Sequence, residues 1–157
     1  MSIWRIAAVL AVTVSSAAAQ GLPNPAKTPG VVEPKLTQER ICAPGFDTKS
    51  WRHVSAGLKN KVYRAYNMAK DQGDCAIGRG CEVDHLIPLE LGGSNDIRNL
   101  WIQPYSTKVW NATMKDSLEN ELHRLVCRGD ITLEQAQQEI RSDWTKSWDN
   151  RIGKFVR

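Results

Sequence analysis

Asp84, His85, Asn99 and Asn111 have the types that hydrolysis of a phosphodiester uses, with Glu82 close by in sequence. A carboxylate and an amide oxygen are hard donors suited to Mg²⁺ or Mn²⁺. An imidazole, with an ordinary pKa of about 6.5, is a base near neutral pH. Singly these residues mean little, because Asn99 could close a turn, His85 could be a hydrogen-bonded core histidine and Asn111 could cap a helix. What gives them weight is the order of elements they sit on.

Glu82-Val-Asp-His85 reads as a short strand, with Glu82 and Asp84 on one face by alternation. Pro88 and Gly92-Gly93-Ser94-Asn95-Asp96 force a wide loop, and Ile97-Arg-Asn-Leu-Trp101 resumes extended structure. Met114, Leu118, Leu122, Leu125 and Val126 then mark a helix over roughly 111–127, ended by Gly129 as a left-handed cap. Strand, loop, strand and helix start can thus share one pocket. Upstream, Leu58, Val62, Tyr66 and Ala69 predict an amphipathic helix over 55–70. Its Lys59, Lys61 and Arg64 are candidate phosphate contacts, with Arg98 beside the second strand, although a basic helix face is as often merely solvated. Downstream, Thr132 and Gln135 form a capping box for a last helix, whose Ala136, Ile140, Trp144 and Trp148 read as packing.

The stretch VDHLIPLELGGSNDIRNLW resembles the core of an HNH endonuclease, of the ββα-metal or His-Me finger superfamily. In detail the chain is similar to small exported bacterial HNH-like proteins, which pair that block with an early ICxPG segment, here Ile41 to Gly45, and with KDxxExxLHxxVC, here Lys115 to Cys127. The likeness spans most of residues 41–148, and its specific part is DH followed fourteen residues later by NLW with GG between. It implies His85 as general base, Asp84 as a metal ligand and Asn99 as the residue that orients the His85 loop. The chain departs from the pattern at the third position, where no histidine stands eight or so residues after Asn99. Asn111 is the proposed substitute ligand, with Asp116 and Glu119 as alternatives, while His123 reads as packing beside Cys127.

The resulting expectation is an α+β domain over residues 41–157 with a ββα-metal core: a two-stranded hairpin with a wide loop packed on a helix, braced by flanking helices and two disulfides. Residues 1–19 read as an export signal, from Arg5, the apolar run Ile6 to Val14 and Ala17-x-Ala19. Pro23, Pro25, Pro29 and Pro34 predict a mobile linker over 20–40. Loss of the signal lowers the formal charge from +4 to +3, which allows a polyanionic partner without requiring one. Hydrophobic residues at 41% and charged residues at 24% exclude collagen-like and wholly disordered classes. An even count of four cysteines in an exported chain predicts two disulfides; of the three possible connectivities Cys75 to Cys81 with Cys42 to Cys127 is favoured, and the absence of CxxC spacing disfavours a four-thiolate zinc site.

The expected function is therefore that of a secreted or periplasmic, Mg²⁺- or Mn²⁺-dependent endonuclease acting on nucleic acid, DNA ahead of RNA, with no membrane span after signal cleavage. Two rivals are a nucleic-acid-binding protein that lost the chemistry and a disulfide-stapled envelope interaction module. Oligomeric state is not legible in the sequence.

Overall fold

The computed structural model describes residues 21–69, 80–105 and 107–155. A four-residue helix α1 (Gln38–Ile41) precedes α2 (Ala56–Ala65), a two-stranded antiparallel sheet of β1 (Cys81–His85) and β2 (Leu100–Pro104), and the long helices α3 (Ala112–Arg128) and α4 (Leu133–Arg151). The architecture is α+β. The register pairs Val83 with Ile102, Asp84 with Trp101 and His85 with Leu100.

Alternation along the strands gives the sheet two buried faces. Val83, Leu100 and Ile102 pack against Val62 of α2. On the opposite face Trp101 joins Leu118, Leu122 and Val126 of α3 and Ala136, Ile140 and Trp144 of α4 in the larger core. Trp110 meets Trp144 and Trp148 edge-on at 5.7 and 6.0 Å, so these tryptophans pack as the apolar stripe implied.

Local chemistry explains where the elements start and stop. The Ser55 side chain accepts from the Leu58 N–H to cap α2, which ends at Tyr66. Asn67 then takes φ 52°, which ends the helix before the apolar pattern at Ala69 does. The second strand begins later than the sequence implies. Asp96 accepts from the Arg98 N–H and winds Ile97–Asn99 into a 3-10 turn, so β2 starts only at Leu100. Helix α3 has the expected bounds, from the Asn111 cap to Gly129 at φ 78°. The capping box of Thr132 and Gln135 opens α4, which breaks at Asp143, whose carboxylate accepts from the N–H groups of Thr145 and Lys146 and starts the helix again. In the wide loop, Gly92 is left-handed at φ 74°, and a Cβ on Gly93 would overlap the Ile87 carbonyl.

The proline-rich stretch is the main correction to the expected organisation. Residues 21–40 are not a free linker: Thr28 and Leu36 are buried, Val32 bridges Gly93, and Gly30 N–H donates to the Arg98 carbonyl. The Thr28 hydroxyl also donates to the carbonyl of Leu100, the first residue of β2. The prolines remove donors and fix φ, yet an extended segment can still close a sheet-like edge and bury the side chains between them. The domain thus begins well before Ile41.

Cys42 and Cys127 form the expected disulfide, with Cα atoms 5.3 Å apart, tying the end of α1 to α3 across 85 residues. In the chain-entropy account a loop of that size stabilises by about 4 to 5 kcal/mol. Cys81 is also disulfide-bonded, and its expected partner Cys75 lies outside the described residues, as does the expected export signal. A disulfide fits an oxidising compartment. Among the described residues no helix is long and apolar enough to cross a membrane.

Candidate active site

His85 ends β1, and its side chain is 1% exposed. Its Nε2 lies 3.1 Å from Asn95 Oδ1. The orientation of the Asn95 amide is set by two further bonds: Nδ2 donates to the Trp51 carbonyl at 2.8 Å, and Oδ1 accepts from the His53 N–H at 3.2 Å. Oδ1 is therefore the atom facing His85, and an amide oxygen only accepts. The proton sits on Nε2 and the lone pair on Nδ1. Burial, the largest influence, lowers the His85 pKa and keeps the ring neutral, with Asp84 and Asn95 working the other way and Arg52 and Lys115 adding to the depression. A neutral ring with a fixed tautomer and an unprotonated Nδ1 is what a base requires.

Asn99 is fully buried and holds the loop that follows His85. Its Oδ1 accepts from the Ile87 N–H at 3.0 Å, and its Nδ2 donates to the Ile87 and Ser94 carbonyls, both at 2.9 Å. It also reaches the Val31 N–H at 3.4 Å, so the proline-rich segment is fastened to the same loop.

Asp84 faces α3, opposite to Val83 and His85, and its side chain is 14% exposed. Its Oδ2 accepts from the Lys115 ammonium at 2.7 Å. Lys115 is completely buried and also donates to the His85 carbonyl at 2.7 Å and to Glu119 one turn along α3. Burial opposes the charge on Lys115, but Asp84 and Glu119 outweigh it and raise its pKa, so the ammonium is permanent. Lys115 is the central residue that sequence reasoning missed, because a lysine in an amphipathic helix normally points to water.

One ammonium between two carboxylates leaves an excess negative charge, and the Glu119 side chain, only 13% exposed, answers it: burial pushes its pKa up to about 8 against the pull of Lys115. The folded chain then holds a proton on Glu119 that the unfolded chain releases near pH 4.5, so stability falls as pH rises through the window between those values. The slope is at most about 1.4 kcal/mol per pH unit. Glu119→Gln, which mimics the protonated acid, is expected to flatten that decline. Urea unfolding of both proteins across the window checks it, and parallel profiles would refute it.

The other expected site residues separate. Asn111 is the cap of α3: its Oδ1 accepts from the Met114 N–H at 3.0 Å, its Nδ2 donates to the Thr107 carbonyl at 3.1 Å, and no bond among the described residues joins it to Asp84 or His85. Asp116, one residue along from Lys115, is exposed; burial first, and then the charge of Asp84, raise its pKa. Glu82 shares the Asp84 face, its pKa raised by burial and by both acids, and accepts from the Tyr105 hydroxyl at 2.7 Å. Asp84 and Asp116 are hard donors that fit Mg²⁺ or Mn²⁺.

Of the expected phosphate contacts, Lys59 lines a 360 Å³ groove beside β1 with Arg52, Asn60, Tyr63, Glu82 and Tyr105. Lys61 and Arg64 are exposed but lie on another side of α2, because two and five residues at about 100° each carry them away from Lys59. Arg98 is not a free cation, since its guanidinium forks onto Asp96 at 2.9 and 2.8 Å and holds the Asp96 carboxyl down at about 2. Arg52 was missed. It lines the groove, and its charge bears on both His85 and Asp116.

No protein-family model matches the chain, and no curated protein or solved structure is significantly similar to it.

Proposed function

We propose that the chain is an exported HNH-type endonuclease with a divalent-metal-dependent ββα-metal site, cleaving nucleic acid, DNA ahead of RNA. The observation that carries this reading is the His85 tautomer, locked through Asn95 with Nδ1 as its unprotonated nitrogen, next to a partly exposed Asp84. Successive strand residues point to opposite faces, so a phosphate touched by both must sit off the end or the unpaired edge of β1.

In this reading His85 Nδ1 takes the proton of the attacking water as the oxygen–phosphorus bond forms and the bond to the leaving 3′ oxygen breaks. Asn95 keeps the ring in register, and Asn99 fixes the loop behind it. Arg52 and Lys59 hold the flanking phosphates through contacts without sequence preference, which makes binding weaken as salt rises. Asp84 and Asp116 would hold the divalent ion, which supplies charge stabilisation at the phosphoryl oxygen. A 5′-phosphate product follows from the family resemblance.

Plasmid and single-stranded DNA and RNA, incubated with the purified protein and Mg²⁺, Mn²⁺ or EDTA, test the reading; absence of metal-dependent cleavage of any of them ends it. Asp116→Ala is expected to raise the Mg²⁺ concentration for half-maximal cleavage by about tenfold or more, the scale on which altered ligation acts. Asn111→Ala is expected to leave that titration in place and lower stability by about 1 kcal/mol, as loss of a cap does. The reverse pattern would return the ligand to Asn111.

A second reading also has an observation behind it. The Lys115 ammonium already sits against Asp84, so the scaffold can carry a built-in cation and bind nucleic acid without cutting it. That protein would bind equally in EDTA and Mg²⁺ and show no turnover.

A further inference from the structure

At the end of α3 remote from the strand end, three soft ligand atoms converge. Cys42 Sγ, Cys127 Sγ and His123 Nε2 lie within 4.8 Å of one another, the one such group of histidine, cysteine and acidic side chains among the described residues. Cys42 and His123 are partly exposed and Cys127 is exposed, so reductants and ions can reach them. In the oxidised chain the two sulfurs are bonded to each other and have no thiolate to offer. We infer that reduction of this disulfide turns the staple into a Zn²⁺ site, with Cys42, His123 and Cys127 as ligands and water in the fourth position.

The reaction balances with a dithiol as reductant: it gives two electrons and two protons to the Cys42–Cys127 bond, which becomes two thiols, and is itself oxidised to a disulfide. Metal binding then displaces the two thiol protons, and two thiolates neutralise the ion. Geometry favours this with little movement. A tetrahedral site with Zn–S of about 2.3 Å and Zn–N of about 2.0 Å has edges of roughly 3.5 to 3.8 Å. His123 Nε2 already stands 3.5 Å from Cys127 Sγ, the two being one turn apart on α3. Cys42 lies outside that helix, at the C-terminal cap of α1, so side-chain rotation can separate the sulfurs to the second edge while α3 stays in place.

His123 Nε2 donates to the Ile41 carbonyl at 3.1 Å in the oxidised chain, so ligation requires the proton to move to Nδ1. Glu90 is close enough for the charge of His123 to bear on its carboxyl. The helix C-terminus adds a partial negative charge that favours a cation. Thiolate and imidazole donors select Zn²⁺ over the hard ions discussed for the strand end. The inference does not depend on nuclease activity.

The test uses the full exported chain, oxidised and phosphine-reduced, titrated with Co²⁺ as a spectroscopic stand-in and then with Zn²⁺. The reduced protein is expected to bind one Co²⁺ with thiolate-to-metal absorption, to yield it to Zn²⁺, and to lose at least tenfold in affinity in both His123→Ala and Cys42→Ser. Cys81→Ser is expected to keep the spectrum. Equal binding by the oxidised protein, full affinity in His123→Ala, or dependence on Cys81 instead of Cys42 would overturn it. If reduction unfolds the chain and Zn²⁺ fails to restore its helical circular dichroism, the inference fails as well.

Discussion

His85→Ala is expected to cut cleavage by about 10²- to 10⁴-fold, the range a general base contributes, while the protein stays folded and still binds DNA. Binding survives because the proposed phosphate contacts, Arg52 and Lys59, lie in the groove beside β1. Folding survives because the His85 backbone, which pairs with Leu100 and accepts from Lys115, is untouched by the change. A companion variant separates the base from its support. Asn95→Ala keeps the imidazole but releases its tautomer, so a smaller loss is expected. It also removes a hydrogen bond that raises the His85 pKa, so the acid limb of the rate profile, already below the ordinary value of 6.5, should move lower still. Cleavage assays and binding by anisotropy in EDTA decide it. Near-normal turnover by folded His85→Ala protein would remove His85 from the chemistry.

The elements that a periodic pattern describes were legible in the sequence, and those that depend on contacts were not. Met114, Leu118 and Leu122 repeat at helical spacing and α3 follows them, with Gly129 as its cap, because burying that stripe is a local property of the segment. Asp84 and His85 were legible as a strand end for the same reason, and Asn99 proved to hold the following loop. Residues 21–40 read as a linker because four prolines suppress any periodicity, and what holds the segment is long-range: Thr28 to Leu100, Gly30 to Arg98, Val32 to Gly93. Asn95 was read as a loop residue, yet its position between Trp51 and His85 gives it control of the tautomer. Asn111 shows the converse. Its type suits both a ligand and a helix cap, and the bond to the Met114 N–H shows the cap.

Lys115→Met is expected to destabilise the fold by about 3 to 5 kcal/mol, the cost of removing one partner from a buried ion pair. The wild-type ammonium is 0% exposed and joins three oxygens from two elements: Asp84 and the His85 carbonyl on β1, and Glu119 on its own helix. Methionine fills the volume but leaves Asp84 facing α3 without a counter-charge and the His85 carbonyl without its donor. Urea unfolding measures the loss, and a change below about 1 kcal/mol, the range of an exposed pair, would show that the bonds contribute little. Adding Glu119→Leu should return only the part of the loss that comes from Glu119, since Asp84 and the His85 carbonyl stay without their partner. The double variant then distinguishes two roles for the lysine. If the ammonium competes with a divalent ion for Asp84, less Mg²⁺ should be needed for half-maximal cleavage once it is gone. If it serves to hold Asp84 and the His85 backbone in position, the requirement stays or rises and turnover falls.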